Sequence, residues 1–214
     1  MSAPRRMGTE TSATRAELIE ITERVMIEDG YAAVSSRRIA KEAGVTAALV
    51  HYYFGTLDDL FIAVLRRRAE QQLERQRRFL SSPRPLRSWW RFASDPAGTA
   101  LLLEFMALSN HRKSIRGELA TYAERFRQQQ VELLSDRIKD YGVNTKDIPP
   151  VAVLVVIDSI GKTVVMEEAI GMHTGLPETI DVVERYLDRF EGPADPKERR
   201  RPRKAAPRRR STKK

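Results

Sequence analysis

Apolar residues recur along this chain at helical spacing, and glycine or proline stands where most of these patterns stop. In the segment 12–29 the apolar positions share one face and end just before Gly30, which suits a helix C-cap. No segment alternates apolar and polar residues over enough length to predict a strand, because even the β-branched run 151–157 continues as a helical pattern. The chain is therefore predicted to be all-α.

About nine helices follow from this pattern. They are predicted to cover residues 12–29, 36–43, 47–53, 57–80, 86–93, 97–110, 114–141, 150–172 and 177–190.

Residues 35–54 have the spacing of a helix-turn-helix. Gly44 stands at the turn, where a positive φ is easiest for glycine, and Ser35 and Thr46 each precede a helix at the N-cap position. The positions that two steeply crossing helices would bury are apolar or small: Ile39, Ala40, Ala43, Val45 and Val50. Two ordinary amphipathic helices joined by a glycine are the alternative, but the agreement of every local choice favours the helix-turn-helix.

The second helix of such a unit enters the major groove with its N-terminal residues towards the bases. Here it contains no Arg, Asn or Gln for a bidentate base contact, so specificity is expected from methyl contacts, the preceding helix and DNA shape. Hydroxyl groups are expected to bind phosphate. The predicted DNA-contacting residues are Ser35, Arg37, Arg38, Thr46, Ala47, Ala48, Leu49, His51, Tyr52 and Tyr53.

The run from Gly30 through Ala43-Gly44-Val45-Thr46 to the aromatic cluster 52–54 and Leu60 resembles the DNA-binding domain of TetR-family regulators. The resemblance covers about residues 12–65, and the rest is similar to that family's regulatory domain only in the number and length of its helices. One position departs from the family. Leu57 stands where many members have a lysine that contacts phosphate, which leaves open whether this chain makes that contact.

The residues themselves predict a flexible N-terminal arm (1–11) and a disordered basic tail (193–214). Between them the resemblance implies a three-helix DNA-binding domain (12–60) and a ligand-binding and dimerisation domain (61–192). It also implies a homodimer held by the last two helices, and two-fold symmetry then implies a pseudo-palindromic double-stranded operator. The expected interface residues are Gly161, Val165, Val183, Tyr186 and Phe190.

A small-molecule effector is implied by the same resemblance, and the surrounding residues favour a hydrophobic one. Polar and aromatic side chains set into apolar helices are the only indications of its site, and each is equally compatible with an ordinary core position. The expected ligand-binding residues are Trp89, Glu104, Phe105, Leu108, Ser109, Tyr122, Phe126 and Asp158.

The net charge of +9 is concentrated in the tail. Residues 193–214 hold eleven Lys and Arg, only two acidic residues and no apolar side chain larger than alanine apart from four prolines. Such a segment cannot offset its ordering entropy and is predicted to be disordered. It also supports an alternative function, an architectural or nucleoid-associated protein that binds DNA through its charge.

Other classes of protein find little support. There is no cysteine, and the three histidines are scattered without the spacing of a metal site, so we expect no metal, no cofactor and no enzymatic activity. No apolar run approaches the about 20 residues of a membrane span, and no signal peptide is evident. A cytoplasmic protein associated with the nucleoid is expected.

Overall fold

A computed structural model describes residues 12–144 and 146–193, and these are all-helical, as predicted. The helices are α1 (Ala13–Asp29), α2 (Ser36–Glu42), α3 (Ala47–Phe54), α4 (Leu57–Leu80), α5 (Pro85–Ala93), α6 (Pro96–Ser109), α7 (Lys113–Asp140), α8 (Pro150–Ile170) and α9 (Leu176–Glu191), with a 3₁₀ turn at Tyr31–Ala33. Each predicted helix is present, with both ends within two residues of the predicted ones. The predicted flexible arm and, apart from Pro193, the predicted disordered tail lie outside the described residues.

The chain divides into two compact units that do not follow the predicted boundary after residue 60. The first unit contains the residues up to Gln71 together with Ala100–Ala123, and the second contains Gln72–Thr99 together with the residues from Glu124 onward. Helices α4, α6 and α7 therefore contribute residues to both units. The boundary differs because residues late in the sequence complete the core of the N-terminal helices.

One apolar core fills the first unit. It combines the buried faces of the first four helices with residues of α6 and α7. Its members include Leu18, Val25, Ile39, Val50, Phe54, Leu60, Leu101, Phe105, Leu108 and Ile115.

A separate core fills the second unit, and its members include Leu80, Leu86, Trp89, Leu134, Ile138, Leu154, Val164 and Leu187. A carboxylate from the end of α9 caps the start of α5. Glu191 accepts hydrogen bonds from the backbone N–H groups of Leu86 at 2.8 Å and Arg87 at 2.9 Å, where Arg84 gives no side-chain cap. It also accepts from the Tyr141 hydroxyl at 2.8 Å, and burial together with this bond raises the pKa of Tyr141.

Gly161 is expected at a dimer interface from the sequence, but it lies inside the second unit. A Cβ atom at Gly161 would stand 2.8 Å from the Ala93 Cβ and 2.9 Å from the Ala93 carbonyl carbon. The missing side chain therefore allows α8 to approach α5 of its own chain.

No single helix among the described residues is long and apolar enough to cross a membrane. Helices α3 and α4, which are bent by 65° at their junction, have sufficient length and apolar character only when they are taken together.

Replacing Gly161 with alanine is expected to lower the free energy of unfolding by about 1–3 kcal/mol, because backbone atoms of Ala93 block the new methyl group. Urea denaturation measures the change. Gly117→Ala is the matched control: a Cβ there meets nothing within 4 Å, so that variant should be as stable as the parent or up to about 1 kcal/mol more stable. Equal stability of Gly161→Ala and the parent would contradict this account of the α5–α8 crossing.

Candidate nucleic-acid interface

The turn between α2 and α3 has the predicted geometry. The Ser35 hydroxyl accepts from the Arg38 N–H at 3.2 Å, and the Thr46 hydroxyl accepts from the Leu49 N–H at 3.3 Å, so both predicted N-caps are confirmed. Gly44 has a φ of +66°, and the following N–H, that of Val45, donates to the Ala40 carbonyl at 2.9 Å. These local bonds fix the direction in which α3 leaves the turn.

Helix α3 presents one face to solvent and the other to the core. Thr46, Ala48, His51 and Tyr52 are exposed, whereas Val50 and Phe54 are buried. The predicted contacts Ala47, Leu49 and Tyr53 are partly buried, and Ala47 and Tyr53 pack against the core of the first unit. The exposed four are therefore the residues of this segment best placed to contact DNA.

The two neighbouring arginines of α2 have different environments. Arg38 donates to the carboxylate of Asp29 at the end of α1, and its Nε donates to Glu42 at 3.0 Å. These bonds raise the pKa of Arg38, and its hydrogen bond to Glu42 lowers the pKa of that carboxyl. Arg38 thus joins α2 to α1, while Arg37 is exposed.

Lys41 is a second exposed cation of α2 and is missing from the DNA contacts predicted from sequence. It follows Arg37 by four residues, so the two side chains share one face of the helix. This four-residue interval is visible in the sequence, so Lys41 could have been predicted as a DNA contact together with Arg37.

The imidazole of His51 is hydrogen-bonded to the residue that follows its own helix. Its Nδ1 lies 3.1 Å from the carbonyl oxygen of Gly55. Since a carbonyl can only accept, this bond selects, in a neutral ring, the tautomer that carries its hydrogen on Nδ1 and leaves Nε2 as an acceptor. Such an acceptor suits the amino group of adenine or cytosine in the major groove.

The Tyr53 hydroxyl is hydrogen-bonded within the protein. The Ser12 hydroxyl donates to the Tyr53 oxygen at 2.9 Å, and the same Ser12 oxygen caps α1 by accepting from the Arg15 N–H at 3.3 Å. Tyr53 therefore connects the end of α3 with the start of α1.

Leu57 stands where many members of the family that the sequence resembles have a lysine that contacts phosphate. Its side chain packs against the core of the first unit, so it does not supply that contact. The start of α4 is instead stabilised by a capping box. The Thr56 hydroxyl accepts from the Asp59 N–H at 3.1 Å, and the Asp59 carboxylate accepts from the Thr56 N–H at 3.0 Å.

Five of the eight expected ligand-binding residues lie in the first unit: Glu104, Phe105, Leu108, Ser109 and Tyr122. Glu104 accepts from the backbone N–H of Tyr31 at 2.7 Å, so it attaches α6 to the turn after α1. Phe105 and Leu108 are buried in the core, and the Ser109 hydroxyl donates to the Met106 carbonyl at 2.8 Å. These contacts give the residues structural roles that the sequence did not reveal.

The other three expected ligand-binding residues lie in the second unit. Trp89 and Phe126 have ring centroids 5.7 Å apart, and Asp158 is buried beside Arg127 at 3.4 Å. No group of three or more His, Asp or Glu among the described residues is arranged to hold a metal ion.

The expected interface residues of α8 and α9 mostly point inward. Val165 is buried, and Val183 and Phe190 pack against the core of the second unit, whereas Tyr186 is 57% exposed. Other apolar side chains of these helices are exposed: Val151, Val155, Val156, Met166, Ile170 and Val182.

Comparison with known proteins gives matches to the N-terminal segment. Residues 18–64 match the family model described as bacterial regulatory proteins, tetR family. The HTH-type transcriptional regulator BetI of Rhizobium meliloti (strain 1021) is 42% identical over 52 residues, which cover 24% of this chain and 26% of BetI. PksA of Bacillus subtilis (strain 168), also an HTH-type transcriptional regulator, is 36% identical over 61 residues, or 28% of this chain and 30% of PksA. The chain thus matches less than a third of these relatives' length.

Solved structures extend the likeness to most of the chain, as a likeness of fold. A TetR transcription regulator from Haloarcula marismortui ATCC 43049 superposes with a TM-score of 0.65 at 22% identity, over 83% of this chain and 97% of that one. A protein described as a transcriptional regulator from Saccharomonospora viridis, solved in complex with choline, has a TM-score of 0.65 at 17% identity over 81% and 95% of the two chains.

Replacing Tyr53 with phenylalanine is expected to lower the free energy of unfolding by about 0.5–1.5 kcal/mol, because the Ser12 hydroxyl loses its acceptor. Tyr52→Phe is the matched control, since Tyr52 is 46% exposed, and its stability should equal that of the parent. Urea denaturation of both variants makes the comparison. The assignment of Tyr53 to structure would be wrong if the two variants were equally stable.

Proposed function

We propose that this chain, which belongs to the TetR family through its N-terminal domain, is a transcriptional repressor that binds a pseudo-palindromic operator as a homodimer and is released by a small molecule. The observation that carries the proposal is the capped helix-turn-helix with an exposed α3 face. In this function α3 lies in the major groove, and two-fold symmetry places a second α3 in the matching half-site.

DNA contacts divide by chemistry. Arg37 and Lys41 bind phosphate, since both are exposed cations on one face of α2. Thr46 and Tyr52 donate hydroxyl hydrogens to phosphate, and His51 and the Ala48 methyl group contact bases. Arg38 contributes indirectly by holding α2 against α1.

The dimer interface is the outer face of α8 together with Val182 and Tyr186 of α9. Val151 and Val155 near the start of α8 and Met166 and Ile170 near its end are exposed apolar residues, with Ser159, Lys162 and Thr163 between the two pairs, and Ile170 is 80% exposed. A group of exposed apolar side chains on one element is costly to leave in water and marks a site of protein–protein contact.

An architectural DNA-binding protein is the second candidate, favoured by the eleven basic residues of the tail. It binds DNA of any sequence by releasing counterions, so its affinity falls steeply with salt and depends on the tail more than on α2 and α3.

Replacing Arg37 or Lys41 with methionine is expected to weaken binding to every duplex and to reduce the slope of log affinity against log salt by about 0.9 for each phosphate that the variant no longer neutralises. Fluorescence anisotropy with labelled DNA at several salt concentrations measures the slope. Arg78→Met is the matched control, because Arg78 is an exposed α4 residue paired with Glu74 at 3.4 Å. Slopes that change as much in the control as in the α2 variants would favour binding by overall charge.

Replacing Val155 with lysine is expected to dissociate the dimer while leaving the protomer folded, because Val155 is exposed and its core-facing neighbours are unchanged. Sedimentation velocity measures the oligomeric state, and circular dichroism measures the fold. Gln128→Lys introduces the same side chain at an exposed position of α7 and should stay dimeric. A parent protein that is monomeric at micromolar concentration would contradict the proposed interface.

A further inference from the structure

The interior of the second unit contains buried polar atoms without partners. Among the described residues, the buried side-chain atoms that have no hydrogen-bond partner all lie in this unit: Gln76 Oε1, Arg87 Nε, Trp89 Nε1, Arg127 Nη1, and Nε2 and Oε1 of Gln130. Gln130 is fully buried, with 0% exposure, and both ends of its amide are unpartnered.

Direct contacts connect the helices that carry these groups, which are α4, α5, α7 and α8. The Gln76 amide donates to the Phe126 carbonyl at 3.1 Å, which joins α4 to α7. The Phe126 ring lies 5.7 Å from the Trp89 ring of α5, and Arg127 pairs with Asp158 of α8. Arg87 does not belong to this group of side chains, because its two Nη atoms bind Glu184 and Asp188 of α9.

Gln130 stands in the middle of an apolar stripe. Phe126, Gln130, Leu134 and Ile138 follow one another at intervals of four residues, and the last three are buried. A leucine there would continue the stripe, whereas an unpartnered buried polar group costs about 1–3 kcal/mol. The amide is therefore unfavourable for stability alone, and a ligand that pairs with it would remove the cost.

The unpartnered groups define the chemistry of that ligand. Three of the side chains offer N–H donors, namely Trp89, Arg127 and Gln130, and these suit carboxylate oxygens. Arg127 and Lys162 both pair with Asp158, so these three groups together carry one positive charge. The acceptor oxygens of Gln76 and Gln130 suit a hydroxyl group on the same ligand.

Aromatic rings adjoin the polar groups. Trp89 stacks on Phe92 with centroids 4.9 Å apart, and Phe92 stacks on Phe126 at 5.7 Å. Such rings pack well against a flat aromatic ligand.

We propose that this interior binds a small hydroxylated aromatic carboxylate, whose carboxylate accepts from Trp89, Arg127 and Gln130. The inference rests on the proposed ligand-responsive function and narrows the expected hydrophobic effector to an aromatic anion. A quaternary ammonium ion such as choline is disfavoured here, because Asp158 already has two cationic partners.

The test is isothermal titration calorimetry of the full chain with 4-hydroxybenzoate, the neutral 4-hydroxybenzamide and choline. The parent protein is expected to bind 4-hydroxybenzoate at least ten-fold more tightly than the amide and to show no heat with choline. No binding of 4-hydroxybenzoate at millimolar concentration, or equal binding of choline, would overturn the proposal.

Variants separate recognition from folding. Gln130→Leu should melt at the same temperature as the ligand-free parent or higher, and it should lose binding at least ten-fold. Arg127→Met should lose the preference for the carboxylate over the amide. Gln128→Leu is the control, since Gln128 is an exposed α7 residue that donates to Glu124, and it should bind like the parent. Parent-like binding by Gln130→Leu and Arg127→Met would contradict the assigned contacts.

Operator binding measured on the same preparations distinguishes failure of the inference from failure of the proposed function. A protein that binds a discrete DNA sequence but no hydroxybenzoate is a repressor with a different effector, so only the inference fails. A protein that binds no discrete sequence contradicts the proposed function itself.

Discussion

The apolar core of the helix-turn-helix is completed by residues from much later in the chain. Segments of roughly 60 residues bury only about 60% of the surface that their unfolded chain exposes, so they are marginal alone. Here Leu101, Phe105, Leu108 and Ile115 enter the same core as Ile39 and Val50. The position of α3 consequently depends on α6 and α7 as well as on the turn at Gly44.

Polar contacts reinforce this dependence. Glu104 of α6 binds the Tyr31 N–H, and Arg112, which precedes α7, pairs with Asp58 of α4. Because α4, α6 and α7 each contribute residues to both compact units, these helices provide covalent continuity between the proposed effector site and the DNA-binding helices.

Features determined by neighbours in sequence could be predicted, and features determined by packing could not. The helix limits and the caps at Ser35 and Thr46 depend on hydrogen bonds between residues that are close together in the sequence. They could therefore be predicted from the sequence alone. In contrast, nothing in the sequence distinguishes Arg37 from Arg38, since the difference arises from Asp29 and Glu42 in the folded chain.

The same limit applies to the candidate effector site. Glu104 and Asp158 are both acidic residues set into largely apolar helices, yet one binds the backbone of Tyr31 and the other pairs with Arg127. The sequence led us to expect Gly161 at a dimer interface, because nothing in it indicates that this glycine lies against Ala93 of the same chain. Gln130 is recognisable in the sequence as a polar residue within an apolar stripe of i, i+4 spacing. Only the structure shows that both ends of its amide are buried without a partner.

In the proposed function α3, positioned by the first unit and paired by two-fold symmetry, recognises a defined DNA sequence. Selection of duplexes from a random library by the full chain, followed by sequencing, tests it most directly. We expect enrichment of one pseudo-palindromic motif whose half-sites are separated by about one helical turn of 10–10.5 base pairs or a multiple of it. Recovery of duplexes with no enriched motif, at an affinity governed by salt alone, would contradict the proposed function.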